Sequence, residues 1–285
     1  VLTLTTSNDV EVDAYGCCEI IGYTLENPKS DVELIVDDNA DWIWASVSDG
    51  IISYDVNPNM GSNPRVATIT VTYGTERFDV NVTQSTIYHN GHMFVDLGLS
   101  VKWATCNVGA NNPEDYGDYF AWGETQPKSD NNYSKSAYRY YDSVYNVYTK
   151  YCLQSDYGTI DNKSELEMSD DAATANWGSG WQMPSFEQCR ELYNSSYTTT
   201  TWTTMNGKYG RKITSKSNGN SIFLPAAGYR RGTSLDSAGS FGCYWSRSLY
   251  AGYSNDAYVL FFNSRNIFTG NVSRYRGWSV RPVRV

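Results

Sequence analysis

Two histidines and six cysteines are all that 285 residues contain. His89 and His92 have no third or fourth metal ligand beside them, and no cysteine spacing matches a zinc site. They read as polar linker residues. Six cysteines are too few for a disulfide scaffold at this length. Cys17 and Cys18 are adjacent and could not bridge each other without strain. Charge is also scarce, at 19% of residues against 40% hydrophobic, which describes a globular chain rather than a disordered one. The net charge of -9 argues against nucleic acid as a partner. No apolar run is long enough to cross a membrane, and no signal peptide is visible. The chain opens abruptly at Val1, so the expectation is an export signal already trimmed.

What is present is aromatic. The chain holds 24 Tyr, 9 Trp and 9 Phe. Tyr and Thr favour pleated surfaces, so many strands are expected. The same richness is common in secreted glycan-binding proteins. Charge is unevenly placed. From Tyr229 onward there are eight Arg, no Lys and two acids, Asp236 and Asp256, a surplus of six positive charges. The rest of the chain then carries a deficit of fifteen. An Arg-only tip favours an anionic ligand, while Arg230 and Arg281 read as structural fork donors.

Residues 1–86 read as short strands. Val10, Val12 and Ala14 alternate, as do Val32, Leu34 and Val36. Ala67, Ile69, Val71 and Tyr73 are joined through Gly74-Thr75 to Phe78, Val80 and Val82, which predicts a β-hairpin. Evenly spaced strands without helical periodicity predict a sandwich. Trp42, Trp44, Asn57, Arg65 and the closing Val82-Thr83-Gln84 resemble the BACON domain, an immunoglobulin-like module of secreted Bacteroidetes proteins. That resemblance implies export and a spacer rather than a site.

Residues 87–93 read as a linker, and residues 94–285 as a second domain. The stretch Tyr133 to Tyr157 is expected to be loop with little regular structure. A helix is expected near Ser169, with Asp170 and Asp171 at its positive end as a solvated acidic start. With Glu165 and Glu167 those acids have the oxygen chemistry of a calcium site, but the spacing fits no calcium loop. Ser185 with Gln188 predicts a capping box, and Phe186, Cys189 and Leu192 a buried stripe. Trp181 reads as a buried structural residue.

Several long strings in this half resemble the FISUMP (Fibrobacter succinogenes major paralogous) domain. They run from Phe94 to Ala110, Tyr116 to Thr125, Asn176 to Pro184, Asn220 to Arg230 and Gly277 to Val283. Related domains have a C-type lectin-like fold, shared with formylglycine-generating enzymes and with the variable proteins of diversity-generating retroelements. The resemblance implies a terminal strand that pairs near the domain's start. The expected architecture is an all-β immunoglobulin-like sandwich followed by an α+β C-type lectin-like domain.

The last stretch carries the functional expectation. Alternation puts Tyr258, Leu260 and Phe262 on a core face and Val259 and Phe261 on the other. An irregular run of Asn, Ser, Arg, Gly and isolated aromatics follows, the composition of a binding surface. After Asp256 there is no His, Glu, Asp, Lys or Cys to do catalysis. The retroelement resemblance implies a fixed scaffold with variable residues between. The expected ligand-binding set is Arg247, Leu249, Tyr250, Tyr253, Asn255, Val259, Phe261, Arg265, Phe268, Asn271, Ser273 and Arg276. No catalytic residue, metal or cofactor is expected. The expected function is an extracellular or outer-membrane surface protein, held by a lipid anchor outside this chain, that binds a protein or glycan. Two alternatives stay open. One is an enzyme of the formylglycine-generating type, with Cys243 beside Tyr244-Trp245-Ser246 as its thiol. The other is a structural surface protein.

Overall fold

Alternating Val, Ile and Thr with Gly and Asn between them build the first half as β-sheet. A computed structural model describes residues 1–285 and divides them into two units, Val1–Gly91 and His92–Val285. In the first unit, β1 (Asp9–Val12), β2 (Cys17–Ile21), β3 (Leu34–Asp38), β4 (Ile43–Ser48), β5 (Ile51–Val56), β6 (Arg65–Tyr73) and β7 (Glu76–Gln84) form two sheets. One has the order β1-β7-β6-β3 and the other β2-β5-β4. The predicted hairpin is β6–β7, antiparallel from Arg65 opposite Gln84 to Tyr73 opposite Glu76. Strand β1 runs parallel to β7. The inward residues Ile43, Ile52, Ile69, Val71, Val80 and Val82 make one core. Gln84 is fully buried and donates to the carbonyls of Asp13 and Asn57, tying off the sandwich where β7 ends.

The division between units falls inside the expected linker. Residues 87–93 are not open chain, however. Tyr88–His89 is a short strand and His92 begins β8 (His92–Val95). The His92 ring stacks on Trp177 at 3.7 Å, so His92 is a packing residue, and burial lowers its pKa.

In the second unit the helices are short: α1 (Ala172–Trp177) and α2 (Phe186–Glu191). β-Sheet carries the fold. Strand β8, β9 (Lys102–Ala104), β10 (Trp181–Gln182) and later elements β11 (Thr198–Met205), β12 (Lys208–Ser215), β13 (Ser221–Pro225), β14 (Gly242–Leu249), β15 (Asp256–Phe262), β16 (Ile267–Ser273) and β17 (Val283–Arg284) follow in order. The terminal β17 lies between β9 and β10, so the chain's end does pair near this unit's start. Strands β11-β12-β13 and β14-β15-β16 form two further antiparallel sheets. No helix is long and apolar enough to cross a membrane.

Local signals hold well. Ser185 and Gln188 form the capping box of α2, and Cys189 and Leu192 are buried. Asp171 caps α1 through the Thr174 N–H. The acids are not solvated, though. Asp170 and Asp171 are both buried, because Asp170 accepts from Lys150 and Tyr151 and Asp171 accepts from the Met183 N–H. The Tyr-rich run has little regular structure, yet Tyr133, Tyr138, Tyr140, Tyr148 and Tyr151 are core residues.

That core corrects the reading of β15. Leu260 and Phe262 enter one hydrophobic cluster, with Trp103, Ile213 and Leu224. Val259 and Ala257 enter a second, with Trp122, Trp245 and Val280. Both faces are covered, so Val259 is fully buried rather than displayed. Leu249 is buried in the same second cluster. Tyr258, expected in the core, is half-buried and stacks on Phe186 at 4.0 Å.

Candidate functional site

Strands β15 and β16 run antiparallel from Asp256 opposite Ser273 to Phe262 opposite Ile267. Phe261 thus faces Phe268, with ring centroids 5.3 Å apart. Two residues along, Gly270 leaves the space that the Phe261 ring fills. A Cβ there would lie 2.8 Å from that ring. The chain after β16 returns through Arg274 to Trp278. Arg274 is fully buried; it donates to the carbonyls of Tyr151 and Lys150 and lies 4.4 Å over the Tyr148 ring. Trp278 exchanges backbone hydrogen bonds with Phe120, both at 3.0 Å. These ties fix both ends of the segment that carries Tyr275 and Arg276.

The result is an open cleft of about 310 Å³ lined by Tyr229, Phe241, Asp256, Phe261, Val272, Ser273, Arg276 and Trp278. Its aromatics touch one another. Phe261 lies 5.2 Å from Trp278 and 5.6 Å from Phe241, and Tyr229 stacks on Trp278 at 5.6 Å. At the polar side, Asp256 accepts from the Asn271 amide at 2.8 Å.

The eight arginines of the C-terminal stretch divide by their partners. Arg281 and Arg274 are buried donors. Arg247 pairs with Glu165 and Gln182, Arg231 with Asp236. Arg230 and Arg284 lie over Tyr119 and Phe94. Arg265 and Arg276 have no side-chain hydrogen bond, ion pair or ring contact. Of the two, Arg276 stands in the cleft.

The twelve expected ligand residues therefore separate. Phe261, Ser273 and Arg276 line the cleft, with Phe268 and Asn271 next to it. Tyr250 and Tyr253 belong to a different run of rings that includes Tyr157, Tyr258 and Phe186. Arg265 is exposed in the turn between β15 and β16. Asn255 is half-buried, and its carbonyl accepts from the Arg274 N–H. Arg247 is held in its ion pair; Leu249 and Val259 are core. Sequence reasoning missed Tyr229, Phe241, Asp256, Val272 and Trp278. Tyr229 and Phe241 come from outside the last forty residues, and only the fold brings them to Phe261.

All six cysteines are unpaired, and burial pushes the Cys243 thiol well above its ordinary value. A reactive cysteine needs the opposite, an accessible thiolate. No group of three His, Cys, Asp or Glu is placed to hold a metal.

Residues 32–85 match the BACON family, described as "Putative binding domain, N-terminal". No curated protein matches the chain. Among solved structures the chain is similar to a Bacteroides thetaiotaomicron protein solved by NMR, at 16% identity over 29% of this chain and 82% of that one, with a TM-score of 0.24. It is similar to a Bacteroides ovatus GH5 xyloglucanase in complex with a XXXG heptasaccharide, at 19% identity and a TM-score of 0.26. That match covers 47% of this chain and 33% of the xyloglucanase chain. Titin domain M7 is a third, at 13% identity over 30% of this chain and 92% of that one, with a TM-score of 0.23. The BACON match lies within the first unit.

Proposed function

We propose that this chain is an exported surface protein whose second unit, a C-type lectin-like domain, binds a ligand in the cleft around Phe261 and Arg276. One observation carries the reading. The Arg276 guanidinium has no partner, yet it stands in a cleft paved by Tyr229, Phe241, Phe261 and Trp278. Aromatic and Arg side chains are the usual energetic anchors of binding sites. A planar fork of donors suits a carboxylate or sulfate, so the ligand class is an acidic glycan or an acidic segment of protein. The BACON domain is the spacer that holds this unit away from the surface.

Diversification, if the gene carries it, is confined by burial. Phe261, Phe268, Asn271, Ser273 and Arg276 have room to change; Leu249 and Val259 do not. A nearby reverse transcriptase, with a second copy of the coding stretch for residues 243–283 differing only at adenines, is the genomic sign to seek.

The test is a glycan array rich in sulfated and uronic sugars, together with a cell-surface pull-down. Binding should weaken with salt and be lost in Arg276→Ala, with a melting temperature close to wild type, and in Phe261→Ala, which also gives up packing on Phe241 and Trp278. Tyr253→Ala serves as the control that keeps binding. Unchanged binding in folded Arg276→Ala would move the site out of this cleft.

A further inference from the structure

Strand β11 reads Thr-Thr-Thr-Thr-Trp-Thr-Thr-Met, from Thr198 to Met205, with no charge and no proline. It is the edge of its sheet. Strand β12 is the only strand hydrogen-bonded to it. The pairing is regular over its whole length, from Thr198 opposite Ser215 to Met205 opposite Lys208, without a bulge. Natural edges of this kind are normally blunted by charge, proline or a covering group. Several other edges in this chain are. Strand β3 carries Asp37 and Asp38, the Ala45 N–H of β4 is taken by the Asp38 carboxylate at 3.0 Å, and β13 ends in Pro225.

The turn shows which groups of β11 are open. Asn206 and Gly207 have φ of 47° and 81°, a two-residue hairpin turn of the kind that glycine favours. The residues flanking such a turn, Met205 and Lys208, form a hydrogen-bonded pair, and bonded pairs then alternate along the strand. Met205, Thr203, Thr201 and Thr199 therefore bond to β12. Thr204, Trp202, Thr200 and Thr198 turn their N–H and C=O groups to the open edge. Thr198 agrees with this count: its N–H donates away from β12, to the Asn194 carbonyl at 3.0 Å. For Thr200, Trp202 and Thr204 those groups have no partner in the protein.

We infer that β11 is an interface between two copies of this chain, paired antiparallel and centred on Trp202. A two-fold axis perpendicular to the sheet keeps each face continuous and sets like side against like. Centred on Trp202, it places Thr200 opposite Thr204 and Trp202 opposite itself. Each of these pairs exchanges both backbone bonds, so every open group is matched. Centring on Thr201 would set Thr204 against Thr198, whose N–H is already committed to Asn194. The intervening pairs are Thr201 with Thr203 and Thr199 with Met205, and Thr–Thr pairs across strands are favourable. No like charges meet. Trp202 already stacks on Tyr209 at 5.8 Å with planes 10° apart, so the pairing joins two such ring pairs into one row. The occupant is a second copy rather than a foreign strand because one sequence satisfies both sides of the pairing, and charge on neither side opposes it.

The experiment is sedimentation of the full chain over a concentration series, with reductant present because Cys18 is exposed. Hydrogen exchange is read at the same concentrations. A concentration-dependent dimer is expected, with the amides of Thr200, Trp202 and Thr204 exchanging more slowly as it forms. Thr204→Pro removes one outward N–H and no bond to β12, and should weaken dimerisation about tenfold or more. A wild-type chain that stays monomeric at the highest concentration, with those amides exchanging at a constant rate, overturns the proposal. So does a dimer that leaves them unprotected. Both readouts on the wild type stand even if the proline variant folds poorly.

Discussion

Arg281 donates from Nε to Asn107 Oδ1 across 2.8 Å, joining residues 174 positions apart inside the core. The same guanidinium donates to the carbonyls of Ala104 and Thr105. It is fully buried with no carboxylate opposite, so neutral oxygens, those of the carbonyls, the Asn107 amide and the Tyr244 hydroxyl, offset its charge. The arginine of the closing segment thus clamps the strand β9 region that β17 pairs with. Arg281→Ala should lower stability by about 3–5 kcal/mol, because it strands those acceptors and opens a cavity. Chemical denaturation measures it. A variant with wild-type midpoint would make Arg281 a bystander.

Strand β15 predicts two losses where alternation alone predicts one. Leu260→Ala should cost roughly 2–5 kcal/mol and Val259→Ala roughly 1–3 kcal/mol, since each empties a different core. Thermal unfolding of the two variants decides it. A silent Val259→Ala would restore the one-sided strand and free that face for a ligand.

The error at Val259 shows where the sequence is legible. The hairpin from Ala67 to Val82 and the capping box at Ser185 depend on neighbours a few residues away, and both stand as read. Burial of Val259 depends on Trp245, opposite it on β14, and on Trp122 and Val280, which period two along β15 does not reveal. Period two shows that a strand has two faces; it does not show that both are covered. The cleft divides in the same way. Ser273 and Arg276 were visible because they sit within one irregular run, and Phe261 because alternation set it apart from Leu260 and Phe262. Tyr229, Phe241 and Trp278 were not, because aromatic residues in this chain are as often core as surface.

Asp170 ties acid stability to the Tyr-rich run. Burial opposes its ionisation, but hydrogen bonds from Lys150 and Tyr151 outweigh burial and hold its carboxyl below the ordinary value. A carboxyl whose folded pKa lies below its unfolded one stabilises the fold above the unfolded value. That contribution is lost as pH falls through the folded value. Asp170→Asn should therefore cost about 2–3 kcal/mol near neutral pH, and the gap from wild type should close below pH about 4. Denaturant midpoints for both proteins across that range measure it. A gap that stays constant with pH would mean the loss is packing, not charge.

Gly270 sets the position of the Phe261 ring, and the ring sets the cleft. A methyl group at residue 270 would lie 2.8 Å from one ring carbon of Phe261 and 3.2 Å from the next. Gly270 does not sit in the left-handed region, so alanine brings no backbone strain there. The ring has to turn, and the open side available to it is the cleft. Gly270→Ala should then cost less than about 1 kcal/mol of stability, while affinity for the acidic ligand falls about tenfold. Gly207→Ala is the matched control. Its φ of 81° makes any side chain strained although nothing lies within 4 Å of the added carbon. It should cost about 1 kcal/mol and leave affinity alone, because the β11–β12 turn is not part of the cleft. Comparing melting temperature with binding for the two variants separates ring placement from general destabilisation. Full affinity in stable Gly270→Ala would mean that the ligand does not rest on Phe261.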